Sequence, residues 1–153
     1  MINPGIRVAG VACGAVIADQ VSKYAVIHST VADHSVRLVG FMQLQLVHNT
    51  GVAFSLFSGA RWGLVLVGIC VLVGVMIAAR RSERQDRLTQ GSLGLIAGGA
   101  IGNLIDRIRL GSVIDFIDVG AWPTFNVADI CIVVGVGLLL LRTLTMRNDE
   151  EAA

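Results

Sequence analysis

Two aspartates, Asp115 and Asp129, stand inside apolar segments of this 153-residue sequence. Asp115 lies within Val-Ile-Asp-Phe-Ile at 113–117 and Asp129 within Asn-Val-Ala-Asp-Ile at 126–130, both without an adjacent cation. An isolated charge is costly to bury, so a carboxylate in such a segment is either solvated or functional. If the fold brings the two together, both cannot ionise cheaply, and the pair would hold one shared proton near neutral pH.

A carboxylate pair with one proton supplies a general base and a general acid together. The ionised member can take a proton from water, and the neutral member can hydrogen-bond to the oxyanion that forms when that water attacks a carbonyl. Such a pair hydrolyses an amide without a metal. Asn126, one helical turn before Asp129, could hold a substrate carbonyl or orient the carboxylate.

Further polar side chains occur in three sets at helical spacing. These sets are Asp19 with Lys23, Asn103 with Asp106 and Arg107, and Asn126 with Asp129. Members three or four positions apart share one face of a helix. Ionisable groups near a bilayer are costly and are therefore site candidates. Asp19, Lys23 and Asp106, with Arg107 beside it, can equally be ion pairs that orient helices.

The elements that carry these residues are predicted to span a membrane. Hydrophobic residues make up 54% of the chain and charged residues 15%, which is below the share typical of soluble domains. A bilayer core of about 30 Å needs about 20 apolar residues of helix. Four such runs are predicted to be spans, at residues 6–27, 62–79, 88–105 and 127–144 of a single domain, 1–153.

Lys and Arg placement predicts the orientation. The flank that should face the cytoplasm carries the larger share of the cations, namely Arg7, Arg80, Arg81, Arg84, Arg87, Arg142 and Arg147. The other flank carries Lys23, Arg37, Arg61, Arg107 and Arg109. Both termini are therefore predicted to be cytoplasmic, with the polar sets at the outer face. A net charge of +1 gives no reason to expect nucleic acid as a partner.

Between the first two spans, the outer segment 28–61 is too long for a simple connector. Alternation at 43–46 predicts β-strand within 36–48, in a small sheet on the membrane surface, with a turn at 48–51 before apolar residues 52–54. Within the third span, Gly94, Gly98 and Gly102 recur every four residues, which predicts close helix packing. We expect Cys13, Cys70 and Cys131 to be small buried residues, since their spacing fits neither a zinc site nor a disulfide framework.

Four sequence blocks, in order, resemble the lipoprotein signal peptidase (signal peptidase II) family across nearly the whole chain. They are DQVSK at 19–23, HNTGVAF at 48–54, GGAIGNLIDR at 98–107 continuing to VIDF at 113–116, and FNVAD at 125–129. The resemblance implies a membrane all-α fold with a small β element, in which four transmembrane helices carry an outer-face β-cradle. It also implies that Asp115 and Asp129 are the catalytic aspartates.

The resemblance implies roles for the remaining polar residues as well. Those that match positions lining the site or holding substrate are Asn49, Gly51, Asn103, Arg107 and Asn126. Those that match framework polar positions are Asp19, Lys23 and Asp106. The implied reaction removes the signal peptide of a bacterial prolipoprotein before a diacylglyceryl-modified cysteine, at the outer face of the cytoplasmic membrane. No metal or other cofactor is implied, and membrane lipid and the inhibitor globomycin are the other expected partners.

Other classes fit the sequence less well. A metal-dependent lipid transferase could use Asp115 and Asp118 to hold Mg²⁺, but such a site would need further carboxylates nearby. A serine peptidase would need a nucleophile motif, and no Gly-x-Ser-x-Gly occurs. A small transporter or channel subunit would place polar residues along the full depth of its helices, whereas spans two and three lack charges at mid-depth.

Overall fold

The computed structural model describes residues 3–51, 60–81 and 86–151. Four long helices dominate it: α1 (Pro4–Ile27), α2 (Ala60–Arg81), α3 (Arg87–Leu110) and α4 (Val127–Glu151). Within them the segments Pro4–Ile27, Arg61–Arg80, Arg87–Leu110 and Val127–Thr145 are long and apolar enough to cross a membrane. The predicted residues 52–54 of the second sequence block lie outside the described residues.

The helix boundaries follow from local capping. The Asn3 side chain accepts a hydrogen bond from Gly5 N at the start of α1, where Pro4 occupies the first turn. Asp86 caps α3 by accepting from Thr89 N at 2.8 Å, and Gly111 ends that helix with φ +79°, a left-handed conformation that favours glycine. Because α3 continues to Leu110, Asp106 and Arg107 lie within its last turns.

Three strands form an antiparallel sheet in the order β1 (Val36–Val39), β2 (Met42–Asn49) and β3 (Val113–Asp118). The first two are joined by a two-residue turn in which Gly40 has φ +56°. The predicted small sheet is therefore present, but β3 comes from the segment after α3, which was not predicted to be a strand. The predicted turn at 48–51 begins later, since β2 continues through His48 and Asn49.

Helix α3 is the centre of the bundle. In α3, 61% of the apolar window is buried inside the protein, against 11% in each of the other three spans. The predicted glycine packing is confirmed: a Cβ atom at Gly94 would lie 2.6 Å from Val11, and one at Gly98 would lie 2.6 Å from the Ala12 oxygen. On another face of α3, a Cβ atom at Gly99 would overlap the Ala128 oxygen of α4.

The lipid-facing surface explains one wrong prediction. Cys13 and Cys70 are exposed and Cys131 is partly exposed, so the cysteines are not the buried residues that were expected. An apolar span can leave apolar side chains on its outer surface, because that surface meets hydrocarbon rather than water.

A separate small core ties the sheet to the helix ends. Val26 at the end of α1, Val31 in the short 3-10 turn Thr30–Ala32, and Phe116 of β3 are buried together. Leu44 and Val127 pack against them, so β2 and the first residue of α4 share this core. The sheet therefore holds β3 against the ends of α1 and α4. The predicted fold class, four membrane helices with a small β element, is confirmed.

Candidate active site

Asp115 is the third residue of β3 and is 2% exposed. Its Oδ1 accepts a hydrogen bond of 2.7 Å from Asn126 Nδ2, and its Oδ2 accepts one of 2.8 Å from Asn49 Nδ2. Asn49 is the last residue of the neighbouring strand β2, so the pairing of β2 with β3 positions this donor next to Asp115. Both carboxylate oxygens of this buried side chain are thereby satisfied.

Asp129 is the third residue of α4 and takes part in the cap of that helix. Asn126 Oδ1 accepts from Asp129 N at 3.0 Å, and Asp129 Oδ2 accepts from Asn126 N at 3.3 Å. This reciprocal pair is a capping box, with Asp in the place usually taken by Glu or Gln. Asn103 Nδ2 also donates to Asp129 Oδ1 at 2.7 Å. The half-buried carboxylate lies at a helix N-terminus, where the helix dipole favours negative charge.

Asn126 brings the two aspartates into one network. Its Nδ2 group donates to Asp115 and also, at 3.1 Å, to Asn103 Oδ1, while its Oδ1 accepts from the backbone of Asp129. Asn126 is 0% exposed, so these bonds form away from solvent. The sequence left open whether Asn126 holds a substrate carbonyl or orients the carboxylate. In the structure its side-chain amide donates to the Asp115 carboxylate, and its backbone N–H donates to the Asp129 carboxylate.

The environment raises the pKa of Asp115. Burial and, to a lesser degree, the negative charge of Asp129 raise the pKa of this carboxyl from 3.8 to about 6, although the hydrogen bonds from Asn49 and Asn126 oppose the rise. Asp115 lies in β3, outside the four helices that could span a membrane. Asp115 therefore keeps its proton to a higher pH than an ordinary aspartate does.

The predicted ion pair of Asp19 with Lys23 is confirmed, whereas Asp106 pairs with Lys23 rather than with Arg107. Lys23 Nζ lies 2.8 Å from Asp19 Oδ2 and 2.7 Å from Asp106 Oδ2. Asp106 thus pairs with a lysine of α1, whereas Arg107 donates to the backbone oxygen of Asn103. Adjacent helix residues point about 100° apart, so Asp106 can face α1 while Arg107 points elsewhere.

The other residues that the family resemblance implied also lie around the pair. Gly51 N donates to Asn49 Oδ1 at 2.8 Å, and Gly51 has φ +82°, so this glycine fixes the side chain that reaches Asp115. The half-buried Arg107 interacts electrostatically with Asp129 and Asp115. Asn103, 6% exposed, bridges Lys23 and Asp129.

Two groups of residues around the site were missed by the sequence reasoning. Gln20 Nε2 contacts Asp19 Oδ2 and Asp106 Oδ1, both at 3.1 Å. Asp118 accepts hydrogen bonds from Gln43 at 2.6 Å and Gln45 at 2.8 Å, which joins β3 to β2. The alternating Gln43 and Gln45 were visible as the polar face of a strand, but nothing local in the sequence paired them with Asp118.

The geometry does not favour a shared ion between Asp115 and Asp118. Residues three apart on a strand point to opposite faces, and the two carboxylates bind different partners. Among residues 3–51, 60–81 and 86–151, no group of three His, Cys, Asp or Glu side chains could hold a metal ion.

Comparison with known proteins identifies relatives over most of the chain. A profile described as Signal peptidase (SPase) II matches residues 11–145. The lipoprotein signal peptidase of Symbiobacterium thermophilum is 43% identical over 144 residues, which covers 90% of this chain and 94% of that protein. The lipoprotein signal peptidase of Moorella thermoacetica is 46% identical over 135 residues, covering 86% and 89% respectively.

Solved structures show the same fold. A bacterial membrane enzyme determined by the in meso method at 1.9 Å superimposes with a TM-score of 0.81 and 29% identity, over 88% of this chain and 90% of that one. A second, determined at 2.3 Å, gives a TM-score of 0.80 and 30% identity, over 91% and 88%. With a family profile spanning most of its length and relatives above 40% identity, this chain belongs to the signal peptidase II family of membrane peptidases.

Proposed function

We propose that the chain is an aspartyl endopeptidase that removes the signal peptide from diacylglyceryl-modified bacterial prolipoproteins, cutting before the lipidated cysteine. Family membership supports the substrate, since the relatives are lipoprotein signal peptidases. The observation that carries the mechanism is the Asn126 side chain, which bonds to Asp115 and to the backbone of Asp129. It links two aspartates from separate elements, one buried and one half-buried, in a single hydrogen-bond network.

In the proposed resting state, Asp115 is protonated and Asp129 is ionised. The raised pKa of Asp115 favours its proton. The N-terminus of α4 and the Asn103 amide favour the charge on Asp129. Asp129 is the general base and Asp115 the general acid in this assignment.

Hydrolysis then proceeds in two balanced steps. Asp129 takes a proton from water, the water oxygen attacks the scissile carbonyl carbon, and Asp115 gives its proton to the carbonyl oxygen, which forms a neutral gem-diol. Asp129 next passes its proton to the leaving nitrogen while Asp115 recovers one from a gem-diol hydroxyl, and the C–N bond breaks. Both aspartates return to their starting states.

The proposed location is the outer face of the bacterial cytoplasmic membrane, with both termini in the cytoplasm. The site lies where α1 and α3 end and α4 begins, at the same end of the bundle as the sheet. This position suits a lipidated substrate, because its acyl chains can stay in the bilayer while water reaches the aspartates. The proposal includes inhibition by globomycin, as the family resemblance implies.

The test is cleavage of a purified diacylglyceryl prolipoprotein in detergent. We expect Asp115→Asn and Asp129→Asn each to fold and to lose at least about a thousandfold in turnover, since each removes one half of the acid–base pair. Asp118→Asn is the matched control on the same strand, and it should retain cleavage because Asp118 faces Gln43 and Gln45. Native turnover by either single variant of the pair would exclude the dyad.

A further inference from the structure

A buried ion-pair cluster joins α1 to α3 beside the proposed dyad. Lys23 Nζ lies 2.8 Å from Asp19 Oδ2, 2.7 Å from Asp106 Oδ2 and 3.3 Å from Asn103 Oδ1. Asp19, Lys23 and Asp106 are 0%, 2% and 3% exposed. These three residues are called the Lys23 cluster below. An ammonium group has three donors, and here the three contacts use all of them.

Each carboxylate of the Lys23 cluster also accepts a hydrogen bond from one backbone amide. Ile114 N donates to Asp106 Oδ2 at 3.1 Å, and Ala128 N donates to Asp19 Oδ1 at 3.0 Å. Ile114 directly precedes Asp115, and Ala128 directly precedes Asp129. One lysine is therefore connected, through two carboxylates, to the backbone beside both aspartates of the proposed dyad.

These two amide contacts distinguish the Lys23 cluster from an ion pair that only holds two helices together. Apolar side chains can join buried helices as stably as ion pairs, because burying charges carries a large desolvation cost. Apolar side chains cannot, however, accept hydrogen bonds from amides. Ala128 is the second residue of α4, where a backbone N–H has no partner within the helix, and Asp19 supplies the acceptor from α1.

We infer that Asp19, Lys23 and Asp106 are positioning residues that set the separation and orientation of the catalytic aspartates through the Ile114 and Ala128 amides. This inference rests on the proposed function, because it requires Asp115 and Asp129 to be the reacting groups. A displacement of about 1 Å in a reacting group can lower a rate about a hundredfold. A loss of either amide contact should therefore lower kcat more than it changes KM.

The two carboxylates differ in how their oxygens are used. Asp106 Oδ2 alone meets both Lys23 and Ile114 N, and its Oδ1 meets Gln20, whose amide group can rotate. Asp106→Asn can therefore keep both contacts with its single oxygen. Asp19 uses Oδ1 for Ala128 N and Oδ2 for Lys23. Asp19→Asn must turn its NH₂ group towards one of these two donors.

The experiment compares Asp106→Asn, Asp106→Ala and Asp19→Asn in the full chain, with a diacylglyceryl prolipoprotein as substrate in detergent. We expect Asp106→Asn to stay within about fivefold of the native kcat, and the other two to lose about a hundredfold, with KM changed by less than about threefold. A link that depended on charge alone would make the two Asn variants alike. Equal kcat values for Asp19→Asn and Asp106→Asn would overturn the inference.

If any of the Asp106 or Asp19 variants fails to fold, a second pair of variants tests the inference. A Cβ atom at Gly102 would lie 2.5 Å from Asp19 Oδ2, whereas one at Gly91 of the same helix meets nothing within 4 Å. Gly102→Ala should lower kcat and Gly91→Ala should not, and a native kcat for Gly102→Ala overturns the inference. Activity in Asp115→Asn or Asp129→Asn would instead refute the proposed function itself.

Discussion

Asp115 and Asp118 occupy the same strand and meet opposite electrostatic environments. Burial and the nearby Asp129 charge raise the pKa of Asp115 to about 6. The hydrogen bonds from Gln43 and from Gly120 N lower the pKa of Asp118. Because a strand alternates its faces, residues three apart can differ in this way. At neutral pH Asp118 is a structural anion, while Asp115 lies close to its own titration and suits proton transfer.

The Asn49 donor gives a prediction at the residue scale. Its hydrogen bond stabilises the charged form of Asp115 and opposes the rise in that pKa. Asn49→Leu should therefore raise the pKa of Asp115. Since the proposed acid must be protonated, kcat/KM falls as pH rises through its apparent pKa, and this basic limb should move to higher pH in the variant.

The measurement is the pH dependence of kcat/KM for native and variant chains on one prolipoprotein. Gln43→Leu is the control on the same strand, because its amide contacts Asp118 rather than Asp115. Its basic limb should coincide with that of the native chain. A limb that stays in place, or moves to lower pH, in Asn49→Leu would contradict the assignment of Asp115 as the acid.

Among the elements, the start of α4 combines a helix cap with the site. The Asn126 oxygen caps the helix at Asp129 N, while its NH₂ group reaches Asp115 and Asn103. One side chain therefore contributes to folding through its oxygen and to the site through its nitrogen. Substitutions that retain only one of these groups can separate the two contributions.

We predict that Asn126→Ser and Asn126→Ala lose activity to a similar degree but differ in stability. The serine hydroxyl can still cap α4, so this variant should be more stable than the alanine variant by about 1 kcal/mol. Both lack the NH₂ donor to Asp115. The measurements are the melting temperature in detergent and kcat. As a control, Asp86→Ala removes the cap of α3 at the other end of the bundle and should lower stability without lowering kcat. Native cleavage activity in Asn126→Ser would show that the site does not need the NH₂ group of Asn126.

Helices and strands with a strong local hydrophobic pattern were predictable from the sequence. A strand that forms only by pairing with a distant segment was harder to predict. The four apolar runs predicted the helices, and alternation at 43–46 predicted the β2 region. Strand β3 was missed even though Val113–Asp118 is rich in β-branched and aromatic residues, since a segment of six residues gives little periodicity to distinguish strand from helix. Its partner, β2, lies more than sixty positions earlier in the sequence.

At the scale of the whole molecule, the contacts between separate elements of the site were also not predictable from local sequence patterns. Spacing within each helix predicted that Asp19 and Lys23 share a face, and they do pair. It could not show that Asp106 meets Lys23 or that Asp19 reaches Ala128 N, because these contacts join separate elements. The close approach of α1 and α3 at Gly94 and Gly98 allows such contacts, and the glycine spacing was the only local sign of it.

The orientation of the bundle leads to a prediction at this largest scale. Val39, at the tip of the β1–β2 hairpin, is 78% exposed, and it lies at the end of the bundle that carries the site. Thr145 is exposed at the end of the last span, at the opposite end. The distribution of Lys and Arg predicts that the first end is outside and the second is cytoplasmic. A membrane-impermeant maleimide should therefore distinguish cysteines placed at the two positions.

The experiment uses a chain whose native Cys13, Cys70 and Cys131 are replaced by alanine and which still cleaves its substrate. Val39→Cys in that chain should be labelled in intact spheroplasts, and Thr145→Cys only after permeabilisation, because the reagent cannot cross the bilayer. Labelling of Thr145→Cys alone in intact spheroplasts would place the sheet and both aspartates in the cytoplasm. A site on that side could not act on signal peptides from the outer surface, so this result would refute the proposed location directly.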